Sequence, residues 1–438
     1  MITPAKSRGM IVALAGTGIN LALGVLYTWS IFKDAIRQSI EAGGPGSFNW
    51  DLASLNDPYA VCCLVFSLSM IAAGRCQDKL GPRITAIIGG VLVGLGFIWI
   101  SQSTAYLSWV LGFGVLVGAG IAFGYSSATP PAMKWFPPNK TGLVAGIVVS
   151  GFGLASVYIA PLAKYLLSAW GLQGAMLFFG LAFMVVVSSL SLLLVNPPTG
   201  YQPPGFECRR RNDCEHHKKA REEFIDKEVP PLQMVRTPTF WLLWLVYFIG
   251  AGAGLMVIGS LAGMAKSSMG SAAFVAVAIL AVGNAAGRVV AGSLSDKIGR
   301  ARTLAGIFAF QALLMFLAIP VTAGSNAAAI VIVATLIGFN YGANLAILPS
   351  FTKDLWGIKN FGVNYGILFT SWGIGGFVMS RASQVIMAKT STFANAFQTA
   401  GILLLIGGAL TFLIKNEKEA MRKEVKKRIA AATAPQAS

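Results

Sequence analysis

The sequence predicts an all-α integral membrane fold, with twelve transmembrane helices in two six-helix repeats. Three observations predict it. Of the 438 residues, 55% are hydrophobic and only 12% charged, against about a quarter charged in a soluble domain, and the mean hydropathy is +0.67. Apolar stretches of about 20 residues or more, enough to cross a hydrocarbon layer of about 30 Å, recur along the whole chain. Short motifs at the ends of these stretches recur at a near-constant offset between its two halves.

Span one (9–33) opens the chain, and its apolar run outlasts the core of a signal peptide. Span two (57–75) follows a polar stretch and runs into "GRCQDKLGPR". Span three (84–102) restarts after Gly81-Pro82, and span four (107–134) ends at "KWFPPNKTG". Spans five (141–167) and six (172–195) close an N-terminal bundle, 1–195. The polar connector 196–237 follows, with "NPPTGYQPP" and the charge-dense "ECRRRNDCEHHKKAREE". Spans seven (238–261), eight (271–295), nine (303–322), ten (327–352), eleven (361–387) and twelve (393–414) form a C-terminal bundle, 238–414. A basic tail, 415–438, completes the chain.

Lys and Arg placement sets the orientation. With the N-terminus cytoplasmic, 27 of the 34 basic residues fall on the cytoplasmic side. Lys33, Arg37, Lys164, Lys266, Arg381 and Lys389 fall on or near the outer side, and Arg288 falls inside a span. Both termini are therefore expected in the cytoplasm, with the chain in a plasma (inner) membrane. The net charge of +17 becomes charge facing anionic lipid, so it implies no nucleic-acid partner. No cysteine falls in an outer segment, which leaves no disulfide framework to expect. The two Cys and two His of "CRRRNDCEHH" (208–217) lack the spacing of common zinc sites and read as a solvated loop. No metal site is expected.

The halves repeat. Asp78 and Asp296 are 218 residues apart, as are Gly81 and Gly299, in "GRCQDKLGPR" (74–83) and "GSLSDKIGRAR" (292–302). "FGYSS" (123–127) parallels "FNYGA" (339–343), and "KWFPPNKTG" (134–142) parallels "KDLWGIKNFG" (353–362). Parallel six-helix repeats build one large transporter fold.

On these residues the chain resembles the major facilitator superfamily, whose signature G-x-x-x-D-x-x-G-R/K follows the second helix of each half. Gly74, Asp78, Gly81 and Arg83 form one copy, with Pro82 inserted before the arginine; Gly292, Asp296, Gly299 and Arg300 form the other. Physically these residues make a gate: glycine permits close helix contact, while each aspartate can accept hydrogen bonds from a neighbouring helix N-terminus and pair with nearby arginines. "GVLYTWSIF" (24–32), "WFP…TGLVAG" (135–146) and an arginine in span eight further resemble the oxalate/formate antiporter family and the monocarboxylate porters. The oxalate members carry a lysine in span eleven; here that span has none, which favours a singly charged anion.

Arg288 is the leading binding residue. A charge inside a bilayer costs at least about 2.5–3.5 kcal/mol and normally has a partner, yet none of the 17 acidic residues lies in the core of a span. A substrate carboxylate fits a guanidinium through two parallel hydrogen bonds. Asn284, four residues earlier on the same helix face, can bond a 2-hydroxyl or keto oxygen. Tyr27, Tyr125 and Tyr341 offer hydroxyls and Phe369 an apolar wall; Asn20, Asn340, Asn344 and Trp372 rank below them, and Lys164 reads as an interface residue. Ordinary helix packing is the competing account of the aromatic residues. For Arg288 the competing accounts are bonds to backbone carbonyls and snorkelling to the cytoplasmic interface, the latter opposed by the lean of helical side chains toward their N-terminus.

No nucleotide-binding loop and no nucleophile–base pair is legible, so neither an enzyme nor a cofactor is expected. The expected function is secondary active transport of a small monocarboxylate (lactate, pyruvate or formate type) by alternating access, coupled to a proton. The alternatives are an anion exchanger of the oxalate/formate type and a non-transporting membrane sensor of carboxylates.

Overall fold

The computed structural model describes residues 4–198, 201, 228–269, 273–324, 326–390 and 392–414. Most of the connector and all of the basic tail lie outside the described residues. Among the described residues there is no strand, and ten helices are long and apolar enough to cross a membrane. One of these, Thr141–Ser191, holds spans five and six, because its backbone leaves helical geometry at Gly171 (φ 68, ψ −177). The 30-residue helix Phe361–Thr390 supplies span eleven, which completes twelve.

Several helices outrun their apolar stretches. Span one passes from Pro4–Leu23 through a 3-10 turn, Gly24–Thr28, into Trp29–Ala42. Span two runs over Asp57–Leu80 and span eight over Ala273–Ile298. Asp78 and Asp296 therefore ride on the last turns of helices instead of standing in loops. Each of these helices stops at the next glycine. Gly81 (φ 85) and Gly299 (φ 95) adopt a left-handed backbone that other residues rarely enter, and each donates its N–H back into the helix, to Gln77 O at 3.1 Å and Ser295 O at 3.2 Å.

Large apolar side chains such as Val185 and Phe412 remain more than 60% exposed. Water would penalise that surface, whereas lipid tails accept it, so helix association must come from close packing instead of burial from water. Glycines supply the closeness. Spans two and eleven meet where a methyl group on Gly74 would collide with the Gly362 carbonyl, and one on Gly366 with the Met70 carbonyl. Spans five and eight meet at Gly142 against Gly292 and at Gly146 against the Arg288 carbonyl. Both contacts join the first half of the chain to the second, at the end of the bundle that carries the two repeated motifs, here called the motif end.

Candidate functional site

Span eight carries Arg288 ten residues before Ile298, about 15 Å along a helix rising 1.5 Å per residue and hence near mid-membrane. The side chain is fully buried. It does not snorkel. Its Nε donates to Asn284 Oδ1 at 2.9 Å and its Nη1 to the Val149 carbonyl of span five at 2.6 Å. Gly153 makes room for this pairing: a Cβ there would sit 3.3 Å from Asn284 Oδ1 and 3.4 Å from Arg288 Nε. Nη2 is buried without a hydrogen-bond partner.

Arg288 borders a tightly closed cavity of about 10 Å³, room for about one water, lined also by Tyr27, Phe66, Tyr125, Phe152, Leu345, Phe369 and Trp372. The rings hold one another edge-on or stacked: Tyr27 on Phe152 at 5.3 Å, Tyr125 on Phe66 at 5.6 Å, Phe369 on Trp372 at 5.1 Å. An arginine donor thus faces aromatic walls with little room for water. In so dry a space a charge-assisted hydrogen bond is far stronger than in bulk solvent.

The structure brings Arg288, Tyr27, Tyr125 and Phe369 to one cavity. Asn284 stands beside Arg288 on the same helix, and its Oδ1 accepts from Arg288 Nε. Tyr341 stands behind the cavity wall. Its hydroxyl lies 3.0 Å from that of Tyr27 and accepts from Trp372 Nε1 at 2.8 Å, which fixes two lining side chains. Trp372, ranked low from sequence, lines the cavity, as do Phe66, Phe152 and Leu345, which sequence reading missed. Nothing along the chain marks one phenylalanine out of 27; only the packing does. Asn340 and Asn344 lie instead with Gln311 in a separate buried space between spans seven, nine, ten and twelve.

At the motif end the two aspartates make reciprocal contacts. Asp78 accepts from Gly362 N at 2.9 Å and Val363 N at 3.0 Å, the first turn of span eleven. Asp296 accepts from Gly142 N at 2.9 Å and Leu143 N at 2.8 Å, the first turn of span five. Each carboxylate meets the free N–H groups and positive dipole end of a helix from the other half. The arginines diverge. Arg300 pairs with Asp296 at 2.7 Å and Asp354 at 3.2 Å, and donates to Thr141 Oγ1 at 3.2 Å. Arg83, expected beside Asp78, donates instead to the Leu194 carbonyl at 3.2 Å. The inserted Pro82 opens span three, and Arg83 at its second position is carried toward the end of span six.

The sequence profile of the Major Facilitator Superfamily matches residues 9–380 and 243–436. The chain is 29% identical over 384 residues to the uncharacterised transporter YhjX of Escherichia coli, covering 85% of this chain and 88% of that one. It is 25% identical to the oxalate:formate antiporter of Oxalobacter formigenes, covering 96% and 94%. Monocarboxylate transporters are also among its relatives. In fold it matches the Escherichia coli fucose:proton symporter with a TM-score of 0.64 at 14% identity, over 92% of this chain and 98% of that one.

Proposed function

The chain belongs to the Major Facilitator Superfamily, and from that premise we propose that it carries a small monocarboxylate across the membrane by alternating access, with Arg288 holding the carboxylate. One observation carries this reading: Arg288 is wholly buried, it lines the central cavity, and its Nη2 has no hydrogen-bond partner. The substrate's oxygens complete the guanidinium. Tyr27 and Tyr125 supply hydroxyls beside it, and Phe369 and Trp372 enclose a short carbon chain. Among the described residues Arg288 is the one cation in the cavity lining, which favours one carboxylate over two. The relatedness to an oxalate:formate antiporter and to monocarboxylate transporters favours an organic anion in general.

Coupling follows from charge balance in this reading. An arginine that is always charged and seats one anion returns empty as a buried cation, at a high barrier. Obligatory exchange for a second anion avoids that empty return and is the alternative; the proposed route is a proton entering with the anion, which compensates the anion's charge so that net transport is electroneutral. The motif end then faces the cytoplasm, in accord with the distribution of Lys and Arg.

The test is uptake of labelled lactate or formate into proteoliposomes. Arg288→Ala should abolish uptake while leaving membrane insertion normal, and Arg288→Lys should retain little, because a point ammonium cannot make the paired bonds. Uptake near the wild-type rate in Arg288→Ala refutes the carboxylate site. Uptake driven by an imposed pH gradient, with no internal anion, distinguishes symport from exchange.

A further inference from the structure

The loop leading into the helix that Asp78 grips is itself held by a second carboxylate. Glu228, at the end of the connector, accepts from Ile358 N at 3.2 Å and Lys359 N at 2.7 Å. Its neighbour Val229 donates to the Trp356 carbonyl at 3.1 Å. The Val229 carbonyl in turn accepts from Asn364 Nδ2 at 3.0 Å, and Asn364 is fully buried. Two connector residues thus bridge Trp356, the last residue of the helix Ala327–Trp356 that carries span ten, to the first turn of span eleven. Gly357 permits the approach: it has φ +84, and a Cβ there would lie 2.5 Å from the Glu228 carboxylate. Lys134, at the end of span four, feels the charge of both Asp78 and Glu228.

Among the described residues no carboxylate is seen on the matching loop of the first half, and the two loops differ in sequence. The first-half loop aligns with this one on Gly142 and Gly362, so that Pro137 and Pro138 stand where Gly357 and Ile358 stand. Proline fixes its own backbone and has no N–H to satisfy. The second-half loop has a glycine and, at Ile358, an N–H that no helix bond satisfies, so it has both more freedom and one more donor to satisfy. Glu228 supplies from outside the rigidity that two prolines build into the first loop.

We propose that Glu228 is a positioning residue for the gate: by clamping residues 358 and 359 it holds the N–H groups of Gly362 and Val363 where Asp78 can accept them, and so couples the connector to closure of the motif end. The proposal rests on the reading that the halves part at this end during transport.

Amide hydrogen exchange of the full chain tests it without any substrate, so its failure is distinct from a failure of the carboxylate reading. In Glu228→Ala, exchange should quicken at 358–359 and also at 362–363, the latter by about tenfold as two charge-assisted bonds weaken. Exchange at 142–143, under the other motif, should not change. Glu228→Gln keeps one accepting oxygen and should show the same pattern at smaller size, which covers the case in which the alanine variant folds poorly. Formate uptake should fall in maximal rate more than in KM, since the binding cavity is untouched. Faster exchange confined to 358–359 overturns the proposal, because the clamp then does not reach the gate. An equal rise at 142–143 overturns it too, because the effect is then general loosening.

Discussion

The two copies of the repeated motif join the halves of the chain by one backbone device and brace that contact by different means. In both, an aspartate on the last turn of a helix accepts two N–H groups from a helix of the other half. Around Asp296 the arrangement is a buried charge network: Arg300 is 7% exposed and ties Asp296, Asp354 and Thr141 together across the halves. Around Asp78 the motif's own arginine is absent, and a connector carboxylate, Glu228, braces the partner helix instead. The repeat conserves the contact between halves, and each half completes it with whatever its neighbouring loop provides.

The sharpest way to break this comparison is to remove each aspartate. Asp296→Ala leaves a buried guanidinium with Asp354 as its remaining acidic partner among the described residues and with hydrogen bonds to Ser295 and Thr141, so the loss should approach the low end of the about 3–5 kcal/mol typical of a broken buried pair. Asp78→Ala takes the acceptor from two N–H groups but breaks no ion pair of the motif, at about 1–3 kcal/mol. Thermal unfolding in detergent should show a larger drop in midpoint for Asp296→Ala. Equal drops mean that the N–H contacts, and not the ion pairs, set the stability of both gates.

Much of this was legible in the sequence. Apolar length gave the spans, because a bilayer tolerates no shorter or more polar helix, and the 218-residue offset of Asp78 and Asp296 gave the repeat. Arg288 was legible because a lone charge in an apolar run is conspicuous. Less of its surroundings could be read. Asn284 was placed on the correct face, but whether its oxygen met the substrate or Arg288 depended on a side-chain geometry that spacing does not fix. Phe66 and Phe152 were invisible among similar residues. Glu228 lies in a charge-rich connector where one carboxylate resembles the next, although the prolines of the first loop and their absence from the second were a signal that could have directed attention there.

The smallest expected effect concerns Arg83. The repeat aligns it with the gate, since it follows Gly81 as Arg300 follows Gly299, with one proline between. The structure gives it a single bond to the Leu194 carbonyl from an exposed position. A lone exposed bond of this kind is worth little, because water replaces it readily. Arg83→Ala should therefore shift the unfolding midpoint by no more than the equivalent of about 0.5 kcal/mol and leave formate uptake near wild type, whereas Arg300→Ala should impair both. If Arg83→Ala instead matches Arg300→Ala, Arg83 must reach Asp78 in another conformation of the cycle. The two motifs would then differ only in the state captured here and not in design.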